Sequence, residues 1–251
     1  MQMRKLVVLP VALAVAGVAA APASAQTMAD EVEMKFTSKA AIFPKKAGTK
    51  RNPRGVRLKG QLKVETITQG VEKPIVTGGE VLIPKGGLWN GAKYKKCSGA
   101  KMDREKTADV CPKASIMGAG KGVAWADNVN AAPEVQFVNG GAKRLWAFTT
   151  LYRPALVQKS IAINIKKLRS KRWAYRAAFK VPQVLQVVAG VPVTLASFNF
   201  NIGGKRYAKE LLATTSCPKS KKHPYQATAF YKFADDSTRK QSWKGSVRCT
   251  R

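Results

Sequence analysis

The feature that most restricts this chain is a period of two in its apolar residues. Ile161, Ile163 and Ile165 alternate with Ala162, Asn164 and Lys166, and after Leu168 comes the basic turn Arg169-Ser170-Lys171-Arg172. Trp173, Tyr175, Ala177, Phe179 and Val181 then alternate with Ala174, Arg176, Ala178 and Lys180. Successive side chains of a strand point to opposite faces, so this spacing predicts two strands with one apolar and one polar face. A helix would need apolar residues three and four apart.

The same pattern recurs along the chain. Val32, Met34 and Phe36 share a face, and an extended stretch between Arg57 and Thr68 turns Leu62 and Val64 inward. Val81 and Ile83 precede the turn Pro84-Lys85-Gly86-Gly87. Val135, Phe137, the turn Asn139-Gly140-Gly141 and Leu145 to Tyr152 read as a hairpin. Further strands are expected over Val184 to Val188, Val193 to Ile202, Tyr225 to Phe233 and Gln241 to Cys249, with Asp235-Asp236-Ser237 in the last turn. Only Ala100 to Val110, free of Gly and Pro, has room for a turn or two of helix. Strands this close, punctuated by Gly and Pro, predict an all-β fold, an antiparallel β-sandwich or jelly roll. Pro44 to Arg57, rich in Lys, Arg, Gly and Pro, is expected to be a mobile basic loop. Residues 26–251 then form a single domain, with a seam between half-domains near 125–135 as the alternative.

Residues 1–25 have the form of a secretory signal peptide. Arg4 and Lys5 precede an apolar run from Leu6 to Ala21, which ends in Ala23-Ser24-Ala25 before Gln26. Pro10, Gly17 and Pro22 interrupt the run, and it is shorter than the ~20 residues of a spanning helix. No second apolar stretch follows, so no transmembrane segment is expected after cleavage, and the chain is expected to be secreted or envelope-associated. Removing residues 1–25 takes away Arg4 and Lys5 and no acid, so the formal charge falls from +31 to +29 over 226 residues.

Export puts Cys97, Cys111, Cys217 and Cys249 in an oxidising compartment, where an even count reads as a disulfide framework. Of the three pairings possible, Cys97–Cys111 with Cys217–Cys249 closes the shortest loops and is the one expected. Zinc is the rival reading; there is no C-x-x-C pair and His223 is the only histidine.

No catalytic, metal or cofactor set emerges. Gly118-Ala119-Gly120-Lys121-Gly122 lacks the glycine and the Ser or Thr of a phosphate loop and reads as a glycine turn entering a strand at Val123. His223, in Lys-Lys-His-Pro, reads as a residue of a solvated basic loop rather than a general base. Asp235 and Asp236 look like turn residues, and nothing in the spacing of Glu65 and Glu134 recommends them as a glycosidase pair. Of the five tryptophans, Trp89, in Gly-Gly-Leu-Trp-Asn-Gly, is the candidate for an exposed tip that could stack on a sugar.

What remains is charge. Lys166, Arg176 and Lys180 fall on the polar face of the 161–181 hairpin, beside Lys167, Arg169, Lys171 and Arg172, and form the candidate polyanion-binding set. A solvated coat of charge without a partner is the competing reading.

Three segments carry a resemblance: Cys97 followed by Cys111-Pro112-Lys113-Ala114-Ser115-Ile116-Met117-Gly118-Ala119-Gly120; Ser197-Phe198-Asn199-Phe200-Asn201-Ile202-Gly203-Gly204; and Thr215-Ser216-Cys217-Pro218 with Tyr225 to Asp235 and Cys249. In these, residues 80–251 resemble a group of secreted actinobacterial proteins of unknown function. The resemblance implies a signal peptide, a β-sandwich and paired cysteines, and it brings no active-site residues. The expected function is a non-enzymatic module that binds anionic cell-envelope polymers or surfaces. A structural protein with apolar contacts is the alternative, and an enzyme acting on polysaccharide or peptidoglycan a third. Export argues against nucleic acid as the physiological partner.

Overall fold

The computed structural model of the chain describes residues 33–68 and 73–251; the signal-peptide reading of residues 1–25 and the strand residue Val32 lie outside them. The long strands are β1 (Met34–Phe43), β2 (Arg54–Thr66) and β3 (Ile75–Pro84), then, after the short β4 (Gly87–Trp89), β5 (Ile116–Ala126). Past the two-residue β6 (Val129–Asn130) come β7 (Glu134–Asn139), β8 (Arg144–Leu151), β9 (Val157–Lys167) and β10 (Trp173–Lys180). Then follow β11 (Val187–Val188), β12 (Val191–Gly203), β13 (Leu212–Thr214), β14 (Lys222–Lys232) and β15 (Thr238–Arg248). The fold is all-β, and every strand pair is antiparallel.

One hydrogen-bonded path runs β15-β14-β3-β10-β9-β8-β7-β5-β12-β2, with β1 on the far side of β2. The path curls back on itself: β1 lies against β15, and Gln241 Nε2 donates to the Met34 carbonyl at 2.7 Å. Alternation is what permits the curl, because it gives the sheet one continuous apolar face to enclose. Phe36, Ile42 and Val56 from β1 and β2 meet Tyr225, Ala227, Ala229 and Tyr231 from β14 in one core cluster. Tyr225 Oη donates to the Ser38 carbonyl at 2.7 Å, so this buried hydroxyl is satisfied. In a second cluster Phe137 of β7 lies edge-on to Phe198 and Phe200 of β12, at centroid distances of 6.5 and 6.1 Å.

Gly118, Gly120 and Gly122 lie within β5, not in a turn as their sequence suggested. They pair with Ile202, Phe200 and Phe198. A Cβ on Gly120 would stand 2.5 Å from Cζ of Phe198, and one on Gly60 of β2 would stand 2.1 Å from Cζ of Phe200. Phenylalanine rings occupy the space a side chain would take at Gly60 and Gly120, and the Asn201 backbone carbonyl does so at Gly118.

The helices are short. α1 (Gly99–Glu105) covers the outer face of β8 and β9 and buries Met102 against Val138 and Phe148. Asp103 fixes it there, accepting from the Ser160 backbone N–H and meeting Lys159 Nζ, both at 2.7 Å. Cys97 and Cys111 bridge this segment, with Cα atoms 5.6 Å apart; Cys217 and Cys249 form the second bridge at 5.8 Å. This is the expected local pairing. The strand expected over Val184 to Val188 is instead a turn of helix, α2 (Gln183–Gln186), followed by β11.

Two further residues stand elsewhere than their sequence context implied. Trp89 is no exposed tip: it is half-buried in β4 and packs on the Phe137 cluster. His223 is not in a solvated loop but on the inner face of β14, opposite Val247 and 5% exposed. The three lysines before it hid this, since the strand begins at Lys222 and its alternation takes His223 inward.

His223 has a measurable consequence. Neither ring nitrogen meets a hydrogen-bond partner among the described residues. Burial pushes its pKa below the usual 6.5, and the nearby Ser216 backbone opposes this only in part. The unfolded chain therefore takes up a proton before the folded one does. His223 costs no stability above about pH 6.5, and stability falls as pH drops from there toward the lower folded-state value, by at most ~1.4 kcal/mol per pH unit. Urea midpoints of the wild type and of His223→Gln between pH 8 and 5 check this. A wild-type loss that persists unchanged in the variant would assign the effect to other groups.

Candidate polyanion-binding surface

The long strands run the length of the sheet, so their connections gather at two ends. Phe43 opposite Arg57, Trp173 opposite Pro84 and Lys222 opposite Arg248 mark one end. Met34 opposite Thr66, Leu151 opposite Val157 and Lys232 opposite Ile75 mark the other.

The first end is basic. The segment before β2 carries Lys45, Lys46, Lys50 and Arg51, and the turn after β3 carries Lys85. The β9–β10 connection carries Arg169, Lys171 and Arg172. Lys205, Arg206 and Lys209 follow β12, and Lys219, Lys221 and Lys222 lead into β14. All are exposed, and Glu210 is the one carboxylate in these segments. The backbone here is tied down. Ala47 N–H donates to the Thr250 carbonyl, Thr250 N–H to the Lys45 carbonyl and Gly48 N–H to the Thr214 carbonyl. The Cys217–Cys249 bridge lies beside them, and Arg54 to Arg57 already belong to β2.

The second end is different. Its exposed charges are mixed, with Asp127, Asp235 and Asp236 against Lys73 and Arg153, and residues 181–190 carry none. Ile67, Val129, Tyr152, Leu156, Val184 and Val187 stand exposed there. An even coat of charge would not sort in this way.

The structure divides the seven residues of the hairpin set. Lys166 and Lys167 close β9 and join Arg169, Lys171 and Arg172 at the basic end. Arg172 lies over the Trp173 ring, 4.8 Å from its centroid. Arg176 is placed along the strand and is held by Glu80, 2.5 Å from its carboxylate. Lys180 ends β10 at the opposite end of the sheet. Strands rise about 3.3 Å per residue, so the eight residues of β10 span more than 20 Å, and a shared polar face is not a shared patch.

A second part of the surface was not visible in the sequence. On the outer face of β1, β2, β12 and β5, the register sets Lys39 opposite Gln61, Gln61 opposite Asn199 and Asn199 opposite Lys121. The next row outward is Ala41, Lys59, Asn201 and Ala119. The two alanines keep the floor low, and Arg206 and Tyr207, from the basic end, form one wall. The result is an open trough of about 610 Å³. Lys39, Lys59 and Arg206 face it without a carboxylate partner among the described residues. Lys121 meets Glu134 at 2.6 Å, and this hydrogen bond, with another from Tyr152 Oη, holds the Glu134 carboxyl below its ordinary pKa. Glu65 likewise lies 3.9 Å from Lys63. The strands announce which residues share a face, but only their pairing brings four distant segments into one row.

Among the described residues no group of three or more His, Cys, Asp and Glu could hold a metal ion, and no helix is long and apolar enough to cross a membrane. No protein-family model matches the chain, and no curated protein matches it in sequence.

Proposed function

We propose that the protein is a secreted, non-enzymatic module that binds anionic polymers of a cell envelope through its basic end. The observation that carries this reading is the sorting of charge: connections from five separate parts of the chain bring lysines and arginines together at one end of the sheet. Binding a polyanion there releases the counterions condensed on it, a driving force that grows with the number of cations engaged and weakens with salt. The Cys217–Cys249 disulfide and the backbone ties hold connections of this end in place, so less ordering entropy opposes association.

The test is retention on purified cell walls along a salt gradient. The variant K219Q/K221Q/K222Q is expected to elute earlier, with its log–log salt slope reduced by about 2 to 3, since each neutralised contact contributes roughly 0.7 to 0.9. The control K180Q/K240Q, which removes exposed cations away from the basic end, is expected to keep most of the slope. Equal losses in both variants would mean that charge acts without a site.

A second reading has its own observation, the exposed apolar side chains at the opposite end. It describes an envelope protein that makes apolar contacts and uses its charge for solubility. Retention that does not change between low and high salt would favour it over the first.

A further inference from the structure

We infer that the trough on the outer face of β1, β2, β12 and β5 is a subsite for an extended carboxylated glycan; the inference rests on the polyanion reading and deepens it. Charge alone does not choose between a polyphosphate, a nucleic acid and an acidic polysaccharide. The trough adds groups that do. Gln61, Asn199 and Asn201 line it in two adjacent rows, with Lys39 and Lys59 beside them. A side-chain amide offers a donor and an acceptor together, as a sugar hydroxyl does, whereas a phosphodiester offers only acceptors. Neither Gln61 nor Asn199 makes an internal side-chain hydrogen bond among the described residues; Asn201 Oδ1 also has no partner, but it is buried. Gln61 and Asn199 are therefore the uncommitted amides open to a ligand.

Shape points the same way. The trough is open, lies on the outer face of the sheet and continues from the basic end along the strands. This suits a chain lying on the surface better than a compact ligand, which favours an enclosed, mostly apolar pocket. Single-stranded nucleic acid would require exposed aromatic faces on which to stack bases. Here Phe43, at the rim, has the Arg57 guanidinium 5.3 Å and the Lys59 ammonium 5.7 Å from its ring centroid, and Tyr207 has the Arg206 guanidinium at 5.5 Å. Phe43 is the one strongly exposed aromatic side chain near the trough among the described residues, so successive bases have no row of rings on which to stack. The lysines would meet the carboxylates of alternate sugars while the amides exchange hydrogen bonds with their hydroxyls.

The experiment compares binding of the whole protein to polygalacturonate and to long-chain polyphosphate at one moderate salt concentration. The wild type is expected to prefer polygalacturonate, and Q61A/N199A/N201A is expected to lose that preference by at least about tenfold while binding polyphosphate as before, since each lost hydrogen bond is worth roughly threefold to tenfold. Far-ultraviolet circular dichroism and a thermal melt confirm that the variant is folded, and Asn199→Leu, a single change that removes the amide at similar size without adding charge, gives the same readout independently. Equal affinity of the wild type for the two polymers, or a preference that survives both variants, overturns the glycan inference and leaves the basic end standing. Failure of the wild type to bind either polymer overturns both.

Discussion

C217S/C249S is expected to lose about 4 kcal/mol of unfolding free energy, the larger of the two disulfide effects. The bridge spans 32 residues of sequence, against 14 for Cys97–Cys111, and the entropy removed from the unfolded chain grows with the logarithm of the loop. C97S/C111S should therefore lose less, about 3 kcal/mol. Both sulfurs of the longer bridge belong to buried residues, and Cys249 N–H donates to the Lys221 carbonyl at 3.0 Å. Cutting the bridge thus loosens the segment that carries Lys219, Lys221 and Lys222. Urea denaturation of the two double variants measures the order directly, and weaker salt-dependent binding should accompany the first even where it remains folded. A greater loss on removing Cys97–Cys111 would show that native packing around α1, rather than loop length, sets the contribution.

Phe137→Ala is expected to cost about 3 to 5 kcal/mol, the range for removing a buried aromatic ring from a packed core. Phe137 is 4% exposed and touches both Phe198 and Phe200, which are themselves 5.9 Å apart. These rings fill the space above Gly60 and Gly120, so they cannot move inward without leaving a void. The same strand that turns Phe198 and Phe200 inward turns Asn199 and Asn201 outward into the trough. Loss of the ring should therefore weaken glycan binding as well as stability, whereas Q61A/N199A/N201A should alter binding with little change in the melt. Denaturation and polymer binding measured on the same preparations separate the two. An Ala variant within about 1 kcal/mol of the wild type would mean that the neighbouring rings collapse into the space.

Much of the architecture can be read locally. The 161–181 alternation became β9 and β10, the Asn139-Gly140-Gly141 turn joins β7 to β8, and Ala100 to Val110 holds the short α1. The misreadings have physical causes. Gly118 to Gly122 looks like a turn because glycine permits one, yet pairing with β12 brings the Asn201 carbonyl against Gly118 and the Phe198 ring against Gly120. His223 looks solvated because its sequence neighbours are lysines, yet strand pairing turns it inward. Val184 to Val188 is apolar enough for a strand, but Pro182 sits at the start of a helical turn, with the Leu185 N–H donating to its carbonyl at 2.9 Å. In the first two cases contacts across the sheet outweigh a local preference; in the third one local preference outweighs another.

The sequence by itself determined an all-β chain, two local disulfides and a large positive charge, because alternation, cysteine spacing and composition are local or summed properties. Where that charge gathers was decided only by the tertiary structure. The 166–172 cations share an end with Lys205, Arg206, Lys209, Lys219, Lys221 and Lys222 because antiparallel pairing sends their connections to the same end of the sheet, while Lys180, on the same strand as Arg176, is carried to the other. Register decided the trough in the same way: Lys39, Gln61, Asn199 and Lys121 are dispersed along the chain, and only hydrogen bonds between strands set them side by side.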